Sequence, residues 1–225
     1  LLAVYDEILN RLSDLGVEWV QIDEPILVLD LPDNWKLAFE QAYNKIQRGD
    51  LKLLLASYFD ALADNLKIAC NLPVAGLHVD AIRNPGQVQR VTDWLPNYKV
   101  LSVGIIDGRN VWKSNLDATI TVTQAIQQRW TGELWLAPSC SLLHVPVNLA
   151  FETSLSNTIK SWLSFATEKL TELQLVKAAV LDNNWLSSDE FSRNREAINT
   201  REKSSLVHNK EVQRCLENVK SLNLK

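Results

Sequence analysis

The chain has 225 residues, of which 46% are hydrophobic, enough for a sizeable core in one large domain or in part of one. Its 23 basic and 27 acidic residues give a net charge of -4, which argues against the basic surface that nucleic-acid binding requires. No apolar run approaches the roughly 20 residues that span a bilayer, and three widely spaced cysteines indicate a reducing compartment, so we expect a cytoplasmic protein without nucleic-acid or membrane partners.

Short apolar runs alternate with amphipathic helices along most of the chain, which is the pattern of βα units. The predicted elements are a helix at 3–15, a strand at 17–22, a helix at 35–47, a strand at 51–59, a helix around 62–69, a strand at 76–82, a helix around 88–95, a strand at 100–106, a helix at 117–130, a strand at 134–137 and one long helix at 158–180. A polar, charged tail follows, with one weakly amphipathic helix near 209–222. We therefore predict a barrel region at 1–181 and a helical tail or linker at 182–225.

Five consecutive βα units predict parallel strands, because parallel pairing needs a crossover of a dozen or more residues. The alternatives are a barrel and an open doubly wound sheet, and no G-x-G-x-x-G sequence follows the first strand to favour the latter. Polar residues sit at the predicted strand ends, as expected for a barrel mouth: Asp23, Ser57, Asp80, Asp107 and Cys140. The predicted fold class is α/β, a partial (β/α)8 TIM-type barrel of about five βα units plus a C-terminal helical tail. The missing strands are expected to precede Leu1.

Three stretches carry a resemblance to a known family: EWVQIDEP at 18–25, IDGRNVW at 106–112 and APSCSLLH at 137–144. In order and spacing they are similar to the N-terminal barrel of cobalamin-independent methionine synthase, and the similarity runs from Leu1 to about Leu222. The chain resembles the C-terminal part of that barrel. We also expect a fragment of a longer protein, because the sequence starts at Leu1 and contains no methionine.

The resemblance implies an enzyme that transfers a methyl group from 5-methyltetrahydrofolate polyglutamate to homocysteine, whose thiolate is activated by zinc. In this family two barrels lie face to face, and the zinc, the homocysteine and the folate headgroup belong mainly to the C-terminal barrel. That barrel, and the basic residues that contact the polyglutamate tail, are expected to lie outside this chain. The implied partners are therefore the missing N-terminal strands and the C-terminal catalytic barrel of the same protein.

The two barrels of the family resemble each other, which implies positions where a zinc site would fall in this one. The family's His, Cys, Glu and Cys ligands match Leu55, Ser57, Asp80 and Cys140, and its catalytic histidine matches Gly108. Leucine cannot bind zinc, and a serine hydroxyl is a poor ligand compared with thiolate or imidazole. We therefore expect neither a metal, a bound cofactor nor a catalytic residue in this segment.

Asp23 and Glu24 are the candidate substrate-binding residues, since a carboxylate pair at a strand end can perform acid–base work or hold an amine. The structural alternative is that Asp23 caps the turn before Pro25 while Glu24 pairs with a basic neighbour. The resemblance implies that the matching Asp of the other barrel holds the amino-acid substrate. Asp23 is therefore expected to be a vestige of that site.

The remaining polar candidates are expected to be structural. Cys140 and His144 are four residues apart, but Pro138 and Pro146 argue against a helix that would place both on one face. His78 lies within an apolar strand, and His208 lies in the polar tail. The mixed charges at 193–201 indicate a solvated helix or a linker.

Three functions remain open from the sequence. The first is a non-catalytic part of a barrel that braces the folate site of a methyltransferase. The second is an autonomous single-barrel zinc methyltransferase, and the third is a barrel module that binds a small molecule without chemistry. Leu55, Ser57 and Gly108 favour the first over the second, and the third requires an open, polar mouth.

Overall fold

The structure is a computed structural model that describes residues 1–46 and 49–221. Its helices and strands are α1 (Leu2–Asp14), β1 (Trp19–Asp23), α2 (Asp33–Lys45), β2 (Lys52–Ala56), α3 (Leu66–Asn71), β3 (Gly76–Asp80), α4 (Gln87–Trp94), β4 (Val100–Ile106), α5 (Leu116–Arg129), β5 (Leu134–Pro138), α6 (Asn157–Trp162), α7 (Ala166–Leu181), α8 (Asp189–Lys203) and α9 (Lys210–Ser221). Short 3-10 turns lie at Pro25–Val28, Ala63–Asn65, Leu142–His144, Leu149–Phe151 and Asn183–Ser187. The predicted helix ends at residues 47 and 222, and the tail at 223–225, lie outside the described residues. Within the described part of the chain, no helix is long and apolar enough to cross a bilayer.

The five strands form one parallel sheet in the order β1-β2-β3-β4-β5. A doubly wound sheet requires a reversal of strand order, and this sheet has none. Alternate strand residues pack with helix residues such as Leu9 and Val91 in the main apolar core. The strand residues on this side are Val20, Ile22, Leu53, Leu55, Leu77, Val79, Leu101, Val103, Ile105, Leu134 and Leu136. The predicted fold class, an α/β partial barrel, is confirmed.

The curvature of the sheet is shown by Trp19 on β1 and Trp135 on β5. In a flat sheet the first and fifth strands would lie about 19 Å apart, since neighbouring strands are spaced by about 4.8 Å. Yet the two indole rings meet edge to face with centroids 4.6 Å apart. The strand register places both rings on the side opposite the helices. The sheet is therefore curled as in a barrel, and the tryptophans meet on its concave side near the amino-terminal ends of the strands.

Small residues line this concave side next to the mouth. Ala56 and Gly104 lie there, and an added Cβ at Gly104 would collide with the backbone of Ser139. Gly76 lies on the same side but at the amino-terminal end of β3. The chain after β5 therefore packs directly against β4. The same side carries His78 and Ser102, so it is partly polar.

The prediction of one long helix at 158–180 is wrong, because the structure has two helices there, α6 and α7. The residues between them run alongside the segment after β4 and form an isolated antiparallel bridge between Leu163 and Trp112. A capping interaction then starts α7, where the Glu168 carboxylate accepts a hydrogen bond from the Phe165 amide at 3.1 Å. Long-range backbone pairing thus overrides the helical periodicity of the sequence.

The predicted tail at 182–225 contains two helices of different character. Helix α8, where a solvated helix or linker was expected, is exposed along its charged side but buries Phe191, Asn194, Ala197 and Ile198. Helix α9 agrees with the prediction near 209–222, and its apolar residues Val212, Leu216 and Val219 are exposed. The proposed boundary after residue 181 remains a prediction.

Candidate functional site at the barrel mouth

The carboxyl ends of the strands meet at one rim of the sheet, which brings the predicted polar residues to a common mouth. Asp23 ends β1 and is exposed, while Asp80 ends β3 and is fully buried. Ser57, Asp107 and Cys140 follow β2, β4 and β5 directly or within two residues. The sequence therefore identified the location of the mouth correctly.

Asp23 and Glu24 are adjacent, but two different tyrosines hold them. The Tyr58 hydroxyl donates to Asp23 Oδ2 at 3.1 Å, and the Tyr43 hydroxyl donates to Glu24 Oε1 at 2.9 Å. Asp23 Oδ1 also accepts a hydrogen bond from the Gln21 amide at 2.6 Å. The structural alternative expected Glu24 to pair with a basic residue, but its partner is Tyr43. It also expected Asp23 to cap the turn before Pro25, but Asp23 instead accepts hydrogen bonds from Tyr58 and Gln21.

Burial and neighbouring groups shift the pKa values of Glu24 and Tyr58. Burial raises the pKa of Glu24, the Tyr43 hydrogen bond lowers it in part, and the nearby Asp23 raises it further. Burial and the Asp23 carboxylate raise the pKa of Tyr58 to about 12, so this hydroxyl stays protonated and donates to Asp23. The arrangement leaves Asp23 as the exposed acceptor group at the β1 side of the mouth.

Asp80 uses its buried carboxylate to hold the neighbouring loops. Its Oδ2 accepts from the Phe59 amide at 3.1 Å, and its Oδ1 accepts from the amides of Ile82 and Arg83 at 2.9 Å each. Phe59 has a positive φ of 88°, a conformation that a non-glycine residue adopts only when its surroundings enforce it. Asp80 is therefore a structural acceptor that fixes the turn after β2.

The Phe59 ring lies at the centre of an aromatic and cationic group. Its centroid is 4.6 Å from that of Tyr58, 5.5 Å from that of His144 and 4.5 Å from the Arg109 guanidinium carbon. A guanidinium over an aromatic face is attracted by the negative charge density of the ring. This contact links the loop after β4 to the turn after β2 across the mouth.

The loop after β4, residues 107–110, is held by its own polar side chains. Asp107 Oδ1 accepts from the Arg109 amide at 2.8 Å, and Asp107 Oδ2 accepts from Asn110 Nδ2 at 2.7 Å. Arg83 lies 3.7 Å from Asp107 Oδ2. A Cβ at Gly108 would lie 2.8 Å from the carbonyl oxygen of Cys140, so no side chain fits at Gly108 without displacing the loop after β5.

A pocket of about 280 Å³ opens on the concave side below the mouth, lined in part by Gln21, Tyr58, His78, Ser102 and Cys140. His78 is buried, with Nδ1 2.9 Å from Ser102 Oγ and Nε2 3.4 Å from the Ser139 carbonyl oxygen. Burial lowers the pKa of His78, although the Ser139 contact and the charges of Asp80 and Asp23 oppose this shift. His78 is thus a buried, hydrogen-bonded histidine, which agrees with the structural role expected from the sequence.

The four positions that the sequence resemblance matched to zinc ligands do not fit a metal. Leu55 points into the core between the sheet and the helices. Both carboxylate oxygens of Asp80 already accept hydrogen bonds from backbone amides. The Ser57 hydroxyl is buried without a hydrogen-bond partner among the described residues, and Cys140 Sγ contacts the Ser141 carbonyl oxygen at 3.7 Å. Across residues 1–46 and 49–221, no three His, Cys, Asp or Glu side chains are grouped as metal ligands.

The other candidates are not brought together. His144 packs against Phe59, while burial raises the pKa of the Cys140 thiol, which leaves it a weak nucleophile. His208 is exposed, 3.4 Å from Gln213. Sequence reasoning missed Tyr58, Phe59 and Arg109 as mouth residues. Tyr58 and Phe59 were placed inside the strand predicted at 51–59, which ends at Ala56, and Arg109 lies three residues after the end of β4.

A model of one protein family, described as the cobalamin-independent synthase N-terminal domain, matches residues 1–131. The chain belongs to this family. The matched residues run from the start of the given sequence to just after α5, and they include the mouth residues Asp23, Tyr58, Asp80 and Arg109.

Two solved structures share the fold. A methyltransferase from Methanosarcina mazei matches with a TM-score of 0.55 and 12% identity, over 79% of this chain and 46% of its own. A B12-independent methionine synthase from Shewanella sp. W3-18-1, in complex with selenomethionine, matches with a TM-score of 0.55 and 13% identity, over 83% of this chain and 55% of its own. At such identities the matches show the fold alone, and the chain spans about half the length of these structures.

Proposed function

We propose that this chain is the C-terminal part of the N-terminal barrel of a cobalamin-independent methionine synthase. That enzyme would transfer a methyl group from 5-methyltetrahydrofolate polyglutamate to homocysteine, with zinc held by a second, catalytic barrel. In this proposal the chain braces the folate site and performs no chemistry itself. Support comes from the family match over residues 1–131 and from a mouth whose acidic groups already hold the protein's own loops.

The observation that carries the non-catalytic role is the environment of Leu55 and Gly108. In the proposed evolutionary relationship between the two barrels, these positions correspond to a zinc-binding histidine and a catalytic histidine. Here Leu55 is fully buried against the helices, and a side chain at Gly108 would press on Cys140. Neither position offers a group or the space for the methyl-transfer machinery, which argues against an autonomous single-barrel enzyme.

The edges of the sheet indicate where the remaining strands of the proposed barrel would pair. β1 and β5 each have one neighbour among the described strands, so each presents unpaired backbone groups on its other side. Beside β5, a groove of about 400 Å³ runs between this strand and α7, lined by apolar residues that include Leu134, Leu136, Leu173 and Val180. An extended apolar segment fits this groove, as a further barrel strand would.

A second candidate is a small-molecule-binding module, favoured by the 280 Å³ pocket near His78 and Gln21. Titration calorimetry with methionine, homocysteine and 5-methyltetrahydrofolate triglutamate tests it. Saturable binding of one of them that is lost in Gln21→Leu, but kept in a matched surface variant, Gln89→Leu, would favour this candidate. No binding to the chain would favour the bracing role.

The bracing role itself is tested by methionine formation. The purified chain, supplied with homocysteine, 5-methyltetrahydrofolate triglutamate and zinc, should produce no methionine above the enzyme-free blank. Turnover that co-purifies with the chain, and that disappears in Asp23→Asn, would contradict the proposal and support the autonomous enzyme.

A further inference from the structure

Helix α8 reaches a loop of the barrel through a buried asparagine. Asn194 Nδ2 donates to the Ser114 carbonyl oxygen at 2.9 Å, and Asn194 Oδ1 accepts from the Leu116 amide at 3.2 Å. Ser114 lies between β4 and α5, and Leu116 is the first residue of α5; they precede Asn194 by 80 and 78 residues. Only about 5% of Asn194 is exposed, so water competes poorly for these two bonds. The side chain replaces the backbone partners that this irregular segment lacks.

Helix α7 and the residues before it hold the same segment, 111–116, from another side. The fully buried Lys169 donates to the Trp112 carbonyl oxygen at 3.1 Å, and Glu172 Oε1 accepts from the Ser114 amide at 3.1 Å. Backbone bonds of 2.8 Å join Lys113 to Trp162 and Ser164 to Val111. We call residues 111–116 the gripped segment, because two helices and one bridge satisfy its backbone groups.

A second contact from α8 reinforces this grip. The Arg201 guanidinium lies 5.3 Å from the centroid of the Trp112 ring, and its Nη1 donates to the Lys113 carbonyl oxygen at 3.4 Å. Arg195, on the same helix, forms paired bonds of 2.7 and 2.8 Å with Asp117 at the start of α5. Three side chains of α8 thus converge on one short stretch of the barrel.

The gripped segment continues directly into the mouth. The Trp112 amide donates to Asn110 Oδ1 at 3.0 Å, and Asn110 Nδ2 donates to Asp107, which also holds the Arg109 amide. Arg109 in turn covers the Phe59 ring. Asn194 on α8 is therefore connected to Arg109 by side-chain hydrogen bonds at both ends and by the backbone from Ser114 to Trp112 between them.

We infer that α8 is a positioning arm for the barrel mouth, with Asn194 as the residue that couples the helix to residues 107–110. A displacement of α8 would release the Ser114 and Leu116 backbone, and Arg109 would lose its fixed place over Phe59. This inference does not depend on methyl transfer.

Hydrogen exchange in the 225-residue chain tests the coupling. Asn194→Ala should accelerate amide exchange in residues 107–116 by about tenfold or more relative to exchange in α4, because a buried pair of bonds is lost locally. The matched control is Asn65→Ala, which removes another buried asparagine that holds two backbone carbonyls, those of Leu27 and Leu29, both at 2.7 Å. The control should leave the ratio for residues 107–116 unchanged.

A second readout reports on the mouth itself. The side-chain Nε–H signal of Arg109 should carry a ring-current shift from Phe59, and this shift should shrink in Asn194→Ala but persist in Asn65→Ala. If Asn194→Ala does not fold, Asn194→Ser, which keeps a small polar group, takes its place. Exchange that rises equally in residues 107–116 and in α4, or an Arg109 signal that does not move, would overturn the inference.

Discussion

The Trp19 and Trp135 rings contact each other at 4.6 Å although their strands are the first and last of the sheet. Each ring has a further local partner. Lys52 Nζ lies 5.6 Å from the Trp19 ring, and Trp135 Nε1 donates to Glu133 at 2.7 Å. The two rings close the concave side near the amino-terminal ends of the strands. Their contact therefore reports on the curvature of the whole sheet.

This contact predicts a coupling between two distant strands. In a double-mutant cycle of Trp19→Ala and Trp135→Ala, denaturant unfolding should give a favourable interaction free energy of about 0.5–1.5 kcal/mol, typical of an aromatic pair. Trp94 on α4 is half exposed on the helical side of the sheet. A control cycle of Trp19→Ala with Trp94→Ala should therefore give additive losses. Additivity in both cycles would mean that the sheet is flatter in solution.

His78 predicts a pH dependence of stability. Its folded-state pKa lies below the ordinary value of 6.5, so below pH 6.5 the unfolded chain binds a proton that the folded chain excludes. Stability should therefore fall as the pH drops below 6.5, by up to about 1.4 kcal/mol per pH unit, until the folded-state pKa is reached.

The measurement for this histidine is urea unfolding between pH 4.5 and 7.5. His78→Gln should flatten the part of the profile that lies below pH 6.5, whereas the exposed His208→Gln should retain the wild-type slope. A His78→Gln profile parallel to that of the wild type would show that His78 is protonated equally in both states.

Gly108 predicts a steric effect at the mouth. Gly108→Ala should destabilise the fold by about 1–3 kcal/mol, because the new Cβ would lie 2.8 Å from a Cys140 backbone oxygen and 3.0 Å from its sulfur. Gly86→Ala is the matched control, since its Cβ would meet only Asn84 Oδ1 at 3.7 Å. Thermal unfolding of both variants gives the comparison, and an equal effect would refute the close packing of the two mouth loops.

Zinc binding is predicted to be absent from this chain. After dialysis against buffer with micromolar zinc, elemental analysis should find far less than one zinc per chain, because Leu55 and Ser57 stand where ligands would be needed. Stoichiometric zinc that is lost in Cys140→Ala, but kept in the exposed Cys215→Ala, would contradict this expectation.

The strands and most helices could be predicted because their signals are local. β4 was predicted with the bounds Val100–Ile106 that the structure shows, since a buried parallel strand is a continuous apolar run. The break between α6 and α7 could not be predicted, because it depends on pairing between Leu163 and Trp112. These residues are 51 positions apart in the sequence, so their pairing leaves no local pattern. The buried face of α8 was missed for a similar reason. The many charged residues of this helix indicated a solvated helix or linker, although Phe191 is buried.

The position of the mouth could be predicted from the sequence, but the hydrogen bonds of its side chains could not. Polar residues at strand ends identified Asp23 and Asp80, since the geometry of parallel strands gathers their carboxyl ends. Which carboxylate stays exposed and which one holds loop amides depends on the course of the loops. The positive φ of Phe59, which brings its amide to Asp80, has no signature in a sequence without glycine there.

The central claim is that these five strands belong to a larger barrel and that β1 and β5 pair with further strands. Native mass spectrometry combined with light scattering tests it most directly, because the chain alone has a mass of 25.5 kDa. The account predicts a dimer, larger aggregates, or a complex with a retained peptide that pairs with an open edge. A monodisperse species of 25.5 kDa that unfolds in a single cooperative transition would contradict it.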